Sequence, residues 1–236
     1  MLQKATDMYG YKIDATDGRI GKINDFLFDN TGWNVHYLVV ETGLWLLVRK
    51  VLIPSIALCP PNTQMSIFPA NLTKDQASDS PDIDTDKPVS LQHRVELDAY
   101  YWSIPLPMDF YGMPDMVETP NDGQSGKSEH YEPHLQSTCH VAGYHIEATD
   151  CRLGNIANFI VDDENWNIPY LIVDTINWLP SKWALVPTSR VTKINWKQKK
   201  VEVGLSSEII KKGPLYYPIV PIDSQYEYHL REYYSR

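Results

Sequence analysis

Residues 10–101 and 143–234 carry one sequence pattern written twice, 133 residues apart and without a gap. Gly10-Tyr11-Lys12-Ile13-Asp14-Ala15-Thr16-Asp17 falls on Gly143-Tyr144-His145-Ile146-Glu147-Ala148-Thr149-Asp150. The same offset places Phe26 on Phe159, Trp33-Asn34 on Trp166-Asn167, Tyr37-Leu38 on Tyr170-Leu171, Pro54 on Pro187 and Tyr100-Tyr101 on Tyr233-Tyr234. Over two dozen aligned positions are identical. A repeat this long is a unit the size of a small domain, and both copies must fold by one plan. Whatever the copies share is therefore architecture. Whatever only one of them has is where a specific function should be sought.

Each copy reads as short strands followed by a helix. Tyr9 to Ala15 alternates and ends in Thr16-Asp17-Gly18, a hairpin signal because the turn favours glycine at positive φ. Cys151 replaces Gly18 in the second copy, which argues against a strict type I′ turn in both. A second run, Arg19 to Phe28, contains Gly21, which recurs as Gly154. Glycine inside a strand marks a bulge, a sharp bend or close backbone approach, and the bend is the preferred reading. Trp33 to Thr42 is apolar on both faces and reads as a central covered strand. Val51 to Pro54 ends at proline, and a fifth run lies near Met65 to Phe68. Leu72-Thr73-Lys74-Asp75 and Leu205-Ser206-Ser207-Glu208 predict capped helical turns. Positions 93, 97, 100 and 101, with 226, 230, 233 and 234, share one helical face and predict a closing helix. So short an aromatic helix must dock on its own unit, on the other copy or on another chain.

Between the copies, residues 103–141 hold five prolines and six acids against one base, Lys127. They read as an acidic tether. The organisation expected is thus 1–102, a linker 103–141, and 142–236. The net charge of −9 argues against non-specific nucleic-acid binding, which needs a positive field. The lysines at 197, 199, 200, 211 and 212 read as a solvated strand face and turn. Three cysteines, Cys59, Cys139 and Cys151, form no C-x-x-C pair and no disulfide framework, which fits a reducing compartment. The best apolar stretch, Val35 to Val48, is interrupted by Glu41 and Gly43 and is short of the ~18 residues a membrane span requires. A cytoplasmic protein with no membrane span is the expectation.

These residues resemble the PRC-barrel family. The resemblance is carried by Gly10-x-x-Ile13, Asp17-Gly18-x-Ile20-Gly21-Lys22-Ile23-x-Asp25-Phe26, Tyr37-Leu38-Val39-Val40 and Lys50-Val51-Leu52-Ile53-Pro54, and it recurs from Gly143 to Pro187 with Asn155 and Asn158 in place of Lys22 and Asp25. It implies a mainly β fold: two small, partly open β-barrels in tandem, at about 4–80 and 142–213, each followed by a short α-helix. It also implies protein–protein contact as the role and brings no catalytic residue set.

A search for chemistry leaves little. His130, His134, Cys139 and His140 are loosely spaced like metal ligands, but they fall in the tether and its exit and have no counterpart in the first copy, so no metal is expected. Cys59 and Cys151 have no histidine at a telling spacing, and neither a nucleophile elbow nor a phosphate loop occurs. No catalytic, cofactor-binding or metal residue is assigned. Trp45, Leu46, Leu47 and Trp178 lie in an apolar connection between two strands and are the candidate interaction surface. Gly21 and Gly154 are assigned as structural corner residues. The expected function is a non-enzymatic interaction or assembly module whose two barrels associate with each other or in a homodimer. The rival readings are a ligand site or enzyme at the barrel–barrel junction, and a structural or stress-related homo-oligomer. A junction site requires a deep polar cleft. An interaction module requires a filled junction and an exposed apolar patch.

Overall fold

The computed structural model describes residues 1–43, 46, 49–81, 91–104, 135–175 and 182–235, and is mainly β. In the first half, β1 (Leu2–Lys4), α1 (Ala5–Met8), β2 (Lys12–Ala15), β3 (Gly18–Phe28), β4 (Val35–Thr42), β5 (Lys50–Pro54), β6 (Ile67–Pro69), α2 (Lys74–Ser78) and α3 (Leu91–Trp102) follow in order. The second half runs through β7 (Gln136–Ser137), α4 (Thr138–Val141), β8 (His145–Glu147), β9 (Arg152–Asp162), β10 (Asn167–Thr175), β11 (Lys182–Pro187), β12 (Val191–Asn195), β13 (Lys200–Val203), α5 (Ser207–Lys212) and α6 (Ser224–Ser235). The two halves match element for element at the repeat offset, except that β12 has no named counterpart in the first half. None of the described helices is long and apolar enough to cross a membrane.

Each half builds one sheet, in the order β5-β4-β3-β2-β6 and β11-β10-β9-β8-β13-β12. β3 and β9 are long because both of their edges are used. β2 covers the first part of β3, and β4 runs antiparallel along the rest of it. The innermost short strands pair in parallel, β2 with β6 and β8 with β13. Left-handed backbone appears at matched positions: Trp33 and Trp166 with φ of 58° and 51°, Ser66 and Lys199 with 53° and 52°. Such residues cost free energy that the surroundings must offset, so their recurrence marks a turn geometry required by the fold. The predicted strand from Trp33 accordingly starts at Val35, because Trp33 turns the chain. The predicted first strand starts at Lys12 rather than Tyr9, because residues 5–8 are helical.

Caps fix the connections. The Thr73 hydroxyl accepts from the Gln76 amide at 3.2 Å while the Gln76 side chain accepts from the Thr73 amide at 2.8 Å, a reciprocal capping box. Asp17 accepts from the Lys74 amide at 2.8 Å, and its repeat Asp150 accepts from the Ser207 amide at 2.7 Å. The hairpin aspartates thus tie the turn after β2 or β8 to the start of a helix some 57 residues later in each half. The closing helices dock on their own halves. Leu97 and Tyr101 are buried, and the Tyr101 hydroxyl donates to the Leu52 carbonyl at 2.5 Å. Leu230 and Tyr234 are buried in the same way, and the Tyr233 hydroxyl donates to the Ile209 carbonyl at 2.7 Å. The Tyr101 and Tyr234 rings are buried, and the hydroxyls of Tyr100, Tyr101 and Tyr233 each donate to a backbone carbonyl.

Residues 135–141, assigned by composition to the tether, belong to the second half. Leu135 is buried, and β7 and α4 follow it directly. Their placement exchanges the halves. β1 of the first half pairs antiparallel with β9 of the second, Leu2 opposite Asp162 and Lys4 opposite Ile160. β7 of the second half pairs antiparallel with β3 of the first, Ser137 opposite Leu27 and Gln136 opposite Phe28. Each of these short strands completes the partner's long strand beyond the point where its own neighbour stops. Leu2-Gln3 and Leu135-Gln136 are identical at the same offset, so the repeat extends upstream of Gly10 to include the exchanged strands.

Candidate interaction surface

The exchange brings the two halves together around a backbone contact. The Val35 amide donates to the Trp166 carbonyl at 2.6 Å, and the Ile168 amide donates to the Trp33 carbonyl at 2.8 Å. Asn34 and Asn167 form an antiparallel bridge between them. Repeat-equivalent residues meet each other reciprocally, the pattern of a two-fold dimer drawn within one chain.

Aromatic rings fill this junction. Phe28 stacks on Trp33 with centroids 5.2 Å apart and meets Phe159 of the other half at 5.8 Å. Trp166 lies 5.6 Å from Phe68 and 6.5 Å from Phe26, both in the opposite half. Phe26, Phe28, Phe68 and Phe159 are at most 1% exposed. One continuous core therefore runs through both sheets. Aromatic pairs in these tilted and stacked geometries contribute roughly 0.5–1.5 kcal/mol each beyond the area they bury.

A cluster of polar groups at the junction is hydrogen-bonded across it. Asp25, 6% exposed, accepts from the Thr138 hydroxyl at 2.6 Å, the Ser137 hydroxyl, the Cys139 amide at 3.1 Å and the Phe26 amide at 2.8 Å. The repeat-equivalent Asn158 donates to the Thr6 hydroxyl at 2.6 Å. Tyr9 lies 3.0 Å from the Thr138 hydroxyl, and burial pushes its phenol well above the usual range. Cys139 Sγ is 3.4 Å from the Tyr9 hydroxyl, and partial desolvation at this contact raises that thiol. Beside the junction, Asp29 caps its own turn. Burial alone would raise its carboxyl, but His36 and the Gly32 and Asn34 amides hold it well below the usual carboxylate range.

The residues singled out from sequence take different places. Gly21 pairs with Thr42 of β4, and a Cβ built on it would lie 2.1 Å from the Glu41 carbonyl oxygen. A Cβ on Gly154 would lie 1.9 Å from the Asp174 carbonyl oxygen. Close backbone approach explains both glycines, with register shifts flanking them in β2–β3 and β8–β9. Leu46 is half-buried and packs against the core. Trp45, Leu47 and Trp178 lie outside the described residues, as do His130 and His134. Cys139 and His140 are exposed on α4, where the His140 ring meets Tyr144 edge-on at 6.1 Å. Among the described residues no three His, Cys, Asp or Glu side chains are placed to hold a metal ion. Lys197 and Lys199 are exposed in the β12–β13 turn, and Lys200 pairs with Glu147 and Glu202.

A different surface emerges between α5 and α6. Leu215, Tyr217, Ile219 and Val220 are exposed, Ile219 at 93%. The segment is anchored rather than loose. Tyr216 is buried and bridges Trp183 on β11, and burial pushes its phenol up to about 12. Lys4 from the other half donates to the Pro218 carbonyl at 3.0 Å, and Ile222 is buried again beyond the loop. A fixed loop thus alternates one inward tyrosine with outward apolar side chains. Single exposed apolar residues are ordinary, but a contiguous held group of them is a candidate contact surface. The sequence signal was present: Leu215 to Val220 is apolar between prolines where the first copy has Asp82, Asp84 and Asp86.

In comparisons with known proteins, no family model and no curated protein matches the chain.

Proposed function

We propose that the chain is a non-enzymatic protein–protein interaction or assembly module, a duplicated pair of partly open barrels of the PRC type. The repeated glycine inside a long strand and the proline that ends a later strand, at Pro54 and Pro187, support the family reading. The observation that carries the functional reading is the anchored apolar loop Leu215–Val220, whose apolar sequence is not repeated in the first half, beside a junction already filled by aromatic side chains. A filled junction favours contact at the outer surface over a ligand site between the barrels. Location in the cytoplasm goes with this reading, supported by three free cysteines.

The test is a photo-crosslinking residue placed at Ile219, with a second at Thr192, an exposed polar position on β12. Crosslinks to one protein species from position 219 and not from 192 are expected. Ile219→Asp should then weaken that contact about thirtyfold, as loss of a central apolar anchor does at about 2 kcal/mol, with melting unchanged. Light scattering tells whether the species is a second copy of the chain. Equal labelling from both positions, or binding indifferent to Ile219→Asp, contradicts the proposal.

A further inference from the structure

We infer that the exchange contacts carry a pairing code, in which Asp25 makes the first half select the second half and reject a second copy of itself. The two receiving sites are repeat-equivalent but chemically unlike. Asp25 receives Ser137-Thr138-Cys139-His140, and Asn158 receives Lys4-Ala5-Thr6-Asp7. A carboxylate only accepts hydrogen bonds, and the second-half segment supplies donors: two hydroxyls and the Cys139 amide. Asn158 serves as donor to Thr6, and its own side-chain oxygen accepts from the Phe159 amide at 2.8 Å.

Pairing two first halves would put Lys4-Ala5-Thr6-Asp7 against Asp25. Ala5 stands where Thr138 donates, and so offers nothing, while the Thr6 hydroxyl, which meets Asn158 at 2.6 Å, replaces only one of the two hydroxyl donors. Lys4 stands where Ser137 donates, and in a pair of first halves, which lacks the Pro218 carbonyl it reaches here, its ammonium stays held by Asp7, 3.2 Å away. Asp7 stands at the position of His140, so the second-half segment has no such ion pair. A buried carboxylate short of one of its donors weighs against that pairing by a factor of ~10 or more, and a like pair would contain two such sites. Second-half segments meet no such penalty at Asn158, so the code acts through Asp25. Any strand exchange between whole chains would then still join a first half to a second half.

The experiment cuts the folded full-length chain at a protease site inserted between residues 105 and 134, unfolds the product in urea, refolds it as a mixture and counts pairs by native mass spectrometry. Unlike pairs should dominate, with like pairs of the first fragment below about a tenth of their random share. Asp25→Asn makes the first site equal to Asn158 and should raise first-fragment like pairs about tenfold or more. Should Asp25→Asn refold poorly, the combined Ala5→Thr and Asp7→His variant supplies the donor and removes the Asp7 charge that holds Lys4 while keeping Asp25, and should raise the same pairs. Random proportions in the unmodified protein, or like pairs raised in neither variant, overturn the code.

Discussion

Gly154→Val should lower the urea midpoint of unfolding by an amount equivalent to about 3 kcal/mol or more, and Gly21→Val should do the same. The reason is positional. A Cβ at these sites meets the backbone of Glu41 or Asp174 within 2.1 Å, and that backbone is held by the β3–β4 or β9–β10 ladder. A side chain enters only if the ladder opens. Gly10→Ala is the control. Its φ of 82° strains a side chain by roughly 1–2 kcal/mol, yet a Cβ there has nothing within 4 Å. The glycine pair should therefore cost clearly more than the control. Unchanged midpoints for both valine variants would remove the close-approach assignment.

Phe28→Ala should destabilise the whole chain by about 3–5 kcal/mol, because it empties the ring from a site closed on all sides. Phe28 touches Trp33 of its own half and Phe159 of the other, and its backbone is opposite Gln136 of β7. Loss should thus be felt in both sheets at once. The chain has seven tryptophans, three in the first half and four in the second, so fluorescence is read in variants that keep only Trp33 or only Trp166 as the reporter of one half. A single transition moving to lower urea is expected by every probe. A variant in which only first-half signals shift would mean two independent cores.

Much of this was legible in the repeat. The central strand announced itself by alternation, as in Val35, Tyr37 and Val39, and the pattern recurs in its copy at Ile168, Tyr170 and Ile172. The closing helices were legible from Leu97 and Leu230 with their paired tyrosines, of which Tyr101 and Tyr234 are buried. The exchanged strands were not. Leu2–Lys4 and Gln136–Ser137 are too short to show a period, and what makes them strands is an open edge on β9 or β3 many residues away. β12 escaped for a related reason: its copy forms only the isolated Leu58–Ala70 and Asn62–Ile67 bridges. The exposed loop was hidden by composition. Leu215 to Val220 looks like core, and only Tyr216 and the neighbouring Ile222 are.

The halves are held together by exchanged strands and a shared aromatic core rather than by the tether. Cutting the folded chain once within residues 105–134 and passing it over a sizing column, without denaturant, tests this directly. Both fragments should elute together at the volume of the uncut chain, with its melting largely kept. Two separate peaks, each of a free half, would contradict it.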